Sequence, residues 1–277
     1  MISCKLVGGI GNQLFIIFTT IAYSMKYNQS FIFLNTEFIG DRKSYWNTFL
    51  LSLLKFTTFD NCLMDNANII NEQSFQYKEL DKPDEILNTK LVGYFQSYKF
   101  FDIYYEKICR IINLKKMKEE LQYKYIKNFS NMISMHFRLG DYKKLPDYHP
   151  ILKYEYYKNS IQFIIYMTGN SNLNILYFCE LEDNDTVSKI VMKLQECYPG
   201  CIFEKADDGI IDWKQMIMMS MCRHNIIANS TFSWWGAYFN NREDKIVCYP
   251  DVWFGRNLSH NIIDDLFPEK WYKINSI

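Results

Sequence analysis

The feature that most constrains the fold of this chain is an order of elements at its N-terminus that recurs further on. Ile2, Cys4 and Leu6 alternate along the first segment, which suits a short strand, and Gly8-Gly9-Ile10-Gly11 breaks it. Residues 12–26 then place Leu14, Ile17, Phe18, Ile21 and Met25 on one helical face, and residues 31–34 read as the next strand. Strand, glycine turn, helix, strand is the grammar of a doubly wound α/β sheet. A middle stretch, roughly residues 40–130, has mixed periodicity; within it 91–95 reads as a strand and 104–121 as a helix with a solvated charged end at 115–120. The series resumes with strands predicted at 131–136, 175–179, 226–228 and 245–249, and helices at 156–167, 183–198, 213–222 and 232–240. Aromatic loops and a short terminal helix follow. Two such series predict two Rossmann-like halves facing across a cleft, an N-terminal domain over 1–128 and a C-terminal domain over 129–277. Ligands of such folds bind at the carboxyl ends of the strands.

Composition narrows the function classes. Hydrophobic residues are 48% of the 277, enough for a packed core. Lys+Arg and Asp+Glu are equal at 31 each, so no broad basic face for nucleic acid or anionic lipid is expected, although a local basic pocket suffices for an anionic small molecule. No run approaches the roughly 18 apolar residues of a membrane span. The first residues lack a basic region followed by an apolar run and a cleavage site, so a cytoplasmic protein is expected. Eight scattered cysteines with no CxxC read as free, mostly buried thiols of a reducing compartment. No HxH, HExxH or DxD pattern marks a metal site, and no metal or cofactor is expected.

Three constellations carry candidate chemistry. Gly8, Gly9 and Gly11 let backbone approach a ligand, and Asn12 and Gln13 bring polar amides to the turn; the alternative is a plain strand-to-helix turn. In His136-Phe137-Arg138-Leu139-Gly140-Asp141-Tyr142, alternation sends His136 and Arg138 to one side of a buried strand end. A guanidinium there can grip a phosphate through two parallel hydrogen bonds; the alternative is a structural Arg138–Asp141 ion pair. In Asn229-Ser230-Thr231-Phe232-Ser233, hydroxyls and amides open a helix and can hold a phosphate; the alternative is N-capping alone. Trp234 and Trp235 are read as core packing in preference to a sugar platform.

These residues resemble glycosyltransferase family 11, the α-1,2-fucosyltransferases. The resemblance runs through GGIGNQLF (8–15), GYFQSYKFF (93–101), HFRLGDY (136–142) and ANSTFSWWGA (228–237) to the aromatic end at Trp253, Phe254 and Trp271. It implies a GT-B-like fold, GDP-β-L-fucose as donor and a glycan acceptor. The implied reaction is metal-independent inversion to an α-linked product. By position, Arg138 holds the β-phosphate of GDP and His136 lies near the guanine or ribose. Ser230, Thr231 and Ser233 bind the diphosphate, Asn229 beside them is a further substrate-binding residue, and Asp212 reads the guanine edge. Asn12 and Gln13 position the acceptor. Asp141 is either the general base or the orienter of Arg138. Ile16, Leu139 and Tyr98 depart from the usual pattern, and Leu139 stands where many members carry a second arginine. Another donor sugar, a sugar-binding protein without catalysis and an NAD-dependent oxidoreductase are the competing readings; the missing GxGxxG spacing counts against the last. Turnover is expected to survive EDTA. Complete loss with rescue by Mn²⁺ or Mg²⁺ would contradict the metal-independent mechanism.

Overall fold

A computed structural model describes residues 1–276. The chain forms two compact units. The first comprises Met1–Met117 and Asn261–Pro268, and the second Lys118–His260 and Glu269–Ile277.

In the first unit, β1 (Ile2–Cys4) leads through the glycine turn into α1 (Ile10–Lys26). Then come the two-residue strands β2 (Phe33–Leu34), β3 (Phe38–Ile39), β4 (Arg42–Lys43) and β5 (Thr57–Thr58), followed by β6 (Asn68–Asn71), β7 (Thr89–Val92) and α2 (Tyr105–Ile111). β1, β7 and β6 make a parallel sheet in the order β1-β7-β6, and β2 pairs in parallel with β5. A parallel bridge from Ile2 to Phe31 joins the two, so the strands continue one another around β1. β3 and β4 form an antiparallel hairpin. α1 is almost wholly buried, with Leu14, Phe15, Ile17, Phe18 and Ile21 inaccessible to solvent. A helix that is apolar on most of its circumference needs partners on more than one side. The segment Asn261–Pro268 belongs here because Asp265 binds three groups of this unit. Its carboxylate accepts the Tyr77 N–H (3.2 Å) and the Lys99 ammonium, and its carbonyl accepts the Ser97 hydroxyl (2.6 Å).

The expected helix over 104–121 is two helices, α2 and α3 (Leu114–Lys124), separated at Asn113, whose φ of 58° is left-handed. Asparagine tolerates that region better than most residues, and the kink ends a periodicity that reads as continuous. The unit boundary falls inside α3, whereas the sequence suggested a division after residue 128.

The second unit holds one six-stranded parallel sheet. Its strands are β8 (Met132–His136), β9 (Asn174–Phe178), β10 (Ile202–Lys205), β11 (His224–Ile226), β12 (Val247–Pro250) and β13 (Tyr272–Ile274), in the order β10-β9-β8-β11-β12-β13. The chain starts in the middle at β8, winds outward to β10, then returns beside β8 and winds the other way. That is the doubly wound arrangement, and its switch point lies between β8 and β11. The intervening helices are α4 (Tyr154–Thr168), α5 (Asn184–Cys197), α6 (Asp212–Met221) and α7 (Thr231–Tyr238). β10 escaped the sequence reading because Ile202 and Glu204 are exposed on an edge strand, which erases the apolar signal. The chain ends with a strand, β13, where a terminal helix was expected; Trp271 just before it packs on Trp234 (5.5 Å between ring centroids). Trp234 and Trp235 are fully buried, as core packing requires.

Buried polar groups tie β8 to β11. Asn225 donates to the Ser134 hydroxyl (2.7 Å) and the Met219 carbonyl (2.8 Å), while Asn240 donates to the Asn225 side-chain oxygen (2.8 Å). All eight cysteines are free, with Cys62 and Cys197 exposed and the rest buried. α6 packs closely on α7 at Gly236, where an added Cβ would stand 2.9 Å from the Met219 Cβ. Gly236→Val is expected to destabilise the protein by about 1–3 kcal/mol through overpacking. Thermal melting checks this, and an unchanged melting temperature would contradict the close packing.

Candidate active site at the sheet switch point

The carboxyl ends of β8 and β11 carry two of the three constellations. β8 ends at His136, and Phe137–Tyr142 turns away from the sheet. β11 ends at Ile226, and Asn229–Ser233 turns into α7. The two loops touch. The Tyr142 hydroxyl donates to the Asn229 carbonyl (3.0 Å), and the His136 ring lies 5.4 Å from the Phe232 ring. The Asn229 amide donates to the Pro150 and Trp253 carbonyls (2.8 and 3.3 Å), which anchors its loop.

Arg138 is the cation of this site. One guanidinium nitrogen donates to Asp141 (2.5 Å) and another to Glu180. The guanidinium also stands over the Tyr142 ring at 5.1 Å, and that ring stacks on His149 (4.5 Å between centroids, 18° between planes). The side chain is thus fixed on three sides while only two of its five N–H donors go to the carboxylates. Register explains the Glu180 contact. His136 pairs with Phe178 across β8 and β9, so residues two further along each strand also meet. Gly140 makes room for it, since its φ is 31° and an added Cβ would lie 2.5 Å from a Glu180 carboxylate oxygen.

The loop is braced from below by Asp183. This carboxylate has no solvent exposure; it accepts the Gly140 N–H (2.8 Å) and the Lys143 ammonium (2.5 Å). That partner raises the Lys143 pKa. Sequence reasoning passed over Glu180 and Asp183. The available signal was an acidic run, 180–183, directly after a buried strand, and it gains meaning only once β9 is known to lie beside β8.

His136 is buried, and desolvation first, with the Arg138 charge second, pulls its pKa down to about 3. It is therefore neutral at physiological pH, and its Nδ1 has no hydrogen-bond partner among the described residues. A buried ring nitrogen without a partner costs free energy unless a ligand supplies one. Burial likewise lowers the His149 pKa and raises that of Tyr142 to about 12.

The third constellation's hydroxyls divide. Ser230 caps α7 by accepting the Phe232 N–H (3.3 Å). Ser233 is buried; its hydroxyl accepts the Ala228 N–H (3.2 Å), so it holds the loop's shape. Thr231 is half-buried at the first position of the helix. Asp212 opens α6, exposed, and accepts the Trp213 N–H (2.7 Å).

The glycine turn lies in the first unit. Gly8 has φ 73°, and an added Cβ would meet the Asn12 side-chain nitrogen at 2.6 Å. Gly9 precedes α1, and Gly11 is buried in its first turn. Gln13 is buried and folds back over the turn, donating to the Gly8 carbonyl (2.9 Å). Asn12 accepts from Gln96 (3.1 Å), which joins the glycine turn to the 93–97 loop. That loop is forced: Phe95 is fully buried at φ 51°, and Glu72 accepts the Tyr94 and Phe95 N–H groups (2.7 and 2.9 Å). Burial raises the Glu72 pKa. Leu139 and Ile16, two departures from the family pattern, are both buried apolar side chains.

No group of three or more His, Cys, Asp or Glu that could hold a metal exists among the described residues, and no helix among them is long and apolar enough to cross a membrane.

Two α/β units with parallel sheets make a GT-B-like fold, and solved structures support it. Escherichia coli ADP-heptose LPS heptosyltransferase II is similar with a TM-score of 0.52 at 12% identity, over 99% of this chain and 89% of its own. A glycosyl transferase family 9 structure from Veillonella parvula is similar with a TM-score of 0.50 at 7% identity, over 100% and 87%. The chain belongs to glycosyltransferase family 11, whose model matches residues 58–275. An α-1,2-colitosyltransferase of Escherichia coli is 28% identical over 302 aligned positions, 99% of each chain. The O-antigen biosynthesis glycosyltransferase WbnK of Escherichia coli is 35% identical over 131 positions, 46% of this chain and 41% of its own.

Two outcomes follow from this geometry. His136 has a folded pKa below its ordinary 6.5, so the unfolded chain binds the proton first and stability falls as pH drops below about 6.5 toward about 3. His136→Gln should flatten part of that acid slope in chemical denaturation; an unchanged slope would contradict a buried neutral ring. Asp183→Asn should cost about 1–3 kcal/mol and also lower turnover by loosening the Arg138 loop. Wild-type turnover in a destabilised variant would separate the brace from the chemistry.

Proposed function

We propose that the chain transfers L-fucose from GDP-β-L-fucose to a sugar hydroxyl, forming an α-1,2 linkage with inversion and without a metal. The observation that carries this reading is the meeting of the Arg138 loop and the Asn229–Ser233 loop at the switch point of the second unit. A departing GDP needs its diphosphate charge offset as the glycosidic bond breaks. Arg138 supplies a fixed cation, and the start of α7 supplies amides and the Ser230 and Thr231 hydroxyls. Asp141 and Glu180 are committed to Arg138, which favours the orienting role for Asp141 over proton abstraction. His136, neutral and with an unpaired Nδ1, offers the guanine or ribose a hydrogen-bond site. In this reading the N-terminal unit, with Asn12 and Gln13 at its glycine turn, serves the acceptor.

A second donor has specific support. The full-length similarity to an α-1,2-colitosyltransferase favours a donor carrying colitose, which lacks one ring hydroxyl of fucose, with the same linkage.

The test is a donor screen with galactose-terminated and other simple acceptors, following free nucleotide and product. GDP release from GDP-fucose with an inverted, α-1,2-linked product is expected. Exclusive use of GDP-colitose would move the reading to the second donor, and exclusive use of a UDP-sugar would overturn both. Arg138→Ala should lower turnover by about 10²-fold or more with the fold intact. Near-normal turnover would remove the phosphate-clamp role.

A further inference from the structure

The first unit contains a cavity of about 270 Å³ that does not include the glycine turn. Its chemistry follows from the pleat of β1. The Cys4 thiol faces α1, where it meets the Thr20 hydroxyl. Alternation therefore turns Ser3 and Lys5 to the opposite face. The Lys5 N–H still bonds the Leu91 carbonyl (3.0 Å), so the ladder extends to it. Lys90 stands opposite Ser3 in the β1–β7 register and shares that face.

Lys5 and Lys90 both line the cavity, and no carboxylate pairs with either ammonium among the described residues. Asp60, the acid at the same cavity, is used locally: it caps the Asn61–Met64 turn by accepting the Cys62 N–H (2.9 Å). Leu34, Phe38 and Leu63 give the cavity an apolar surface beside the polar Thr36, Thr58 and Asn61, and Phe38 is half exposed. Two lysine cations against the single Asp60 carboxylate leave the lining net positive, and beside an apolar surface that suits a ring with one C–H face and one acid group. The volume lies near the lower end of the ~300–1,000 Å³ usual for small-molecule sites. It is ample for one sugar ring and too small for a lipid.

We propose that this cavity holds a carboxylate-bearing sugar, a hexuronate-class residue of the acceptor glycan. The word acceptor rests on the sugar-transfer reading above; the binding does not. The carboxylate lies between the Lys5 and Lys90 ammonium groups, and the ring's C–H face packs on Phe38.

The experiment is titration of the full chain with D-glucuronate, D-glucose and inorganic phosphate, read by saturation-transfer NMR and calorimetry. Glucuronate should bind about tenfold or more tightly than glucose or phosphate. Lys5→Gln with Lys90→Gln should weaken glucuronate by about tenfold or more, and Lys5→Arg with Lys90→Arg should retain it. Glucose equal to glucuronate would overturn the charge argument, and phosphate equal to glucuronate would overturn the sugar wall. An unaffected Gln pair would overturn the site. Thermal melting of both pairs reports the fold. The donor screen reports sugar transfer separately, so its failure is distinguishable from failure of this site.

Discussion

The constraint on which the second unit turns is the anchoring of one guanidinium. Arg138 sits where a doubly wound sheet reverses direction, and carboxylates from two loops hold it there. A free arginine would lose side-chain entropy on gripping a ligand; this one has already lost it. Much of the surrounding sequence serves that fixation. Gly140 gives Glu180 space, buried Asp183 holds the Gly140 amide, and Tyr142 supports the guanidinium while reaching the neighbouring loop. The bland alternatives and the functional one coexist: Arg138 does pair with Asp141, and Ser230 does cap its helix. The ion pair and the cap give the site its shape, and the same groups keep further hydrogen-bonding capacity.

Most of the fold was legible where burial imposes a period. Strand β8, helix α5 and the glycine turn into α1 lie within a few residues of their expected positions because each buries a regular face. Legibility failed where burial is partial or backbone geometry intervenes. β10 is an exposed edge, β6 has one buried residue, and Asn113 splits a helix whose side-chain pattern runs on unbroken. The unit boundary was displaced for a related reason. Residues 261–268 return to the first unit through Asp265, and no local pattern announces a contact to Tyr77, Ser97 and Lys99.

The candidate site was partly legible. The motif residues were readable as types suited to phosphate and sugar chemistry, but their partners were not. Glu180 follows a different strand, and only the register of β8 on β9 brings it to Arg138. Ser233 shows the converse, since it belongs to a phosphate-type cluster by spacing yet its hydroxyl is turned into its own loop. The first unit carries the same lesson. Gln96, from a loop that reads as aromatic, meets Asn12 because Phe95 is forced into a left-handed conformation under Glu72.

The most direct test of the central claim, that Arg138 and the start of α7 form a diphosphate site, is calorimetric binding of GDP compared with guanosine to the full-length protein. GDP is expected to bind about 10²-fold or more tightly than guanosine, and Arg138→Ala to remove most of that difference. Equal affinity for GDP and guanosine, or a GDP preference undiminished in Arg138→Ala, would contradict it.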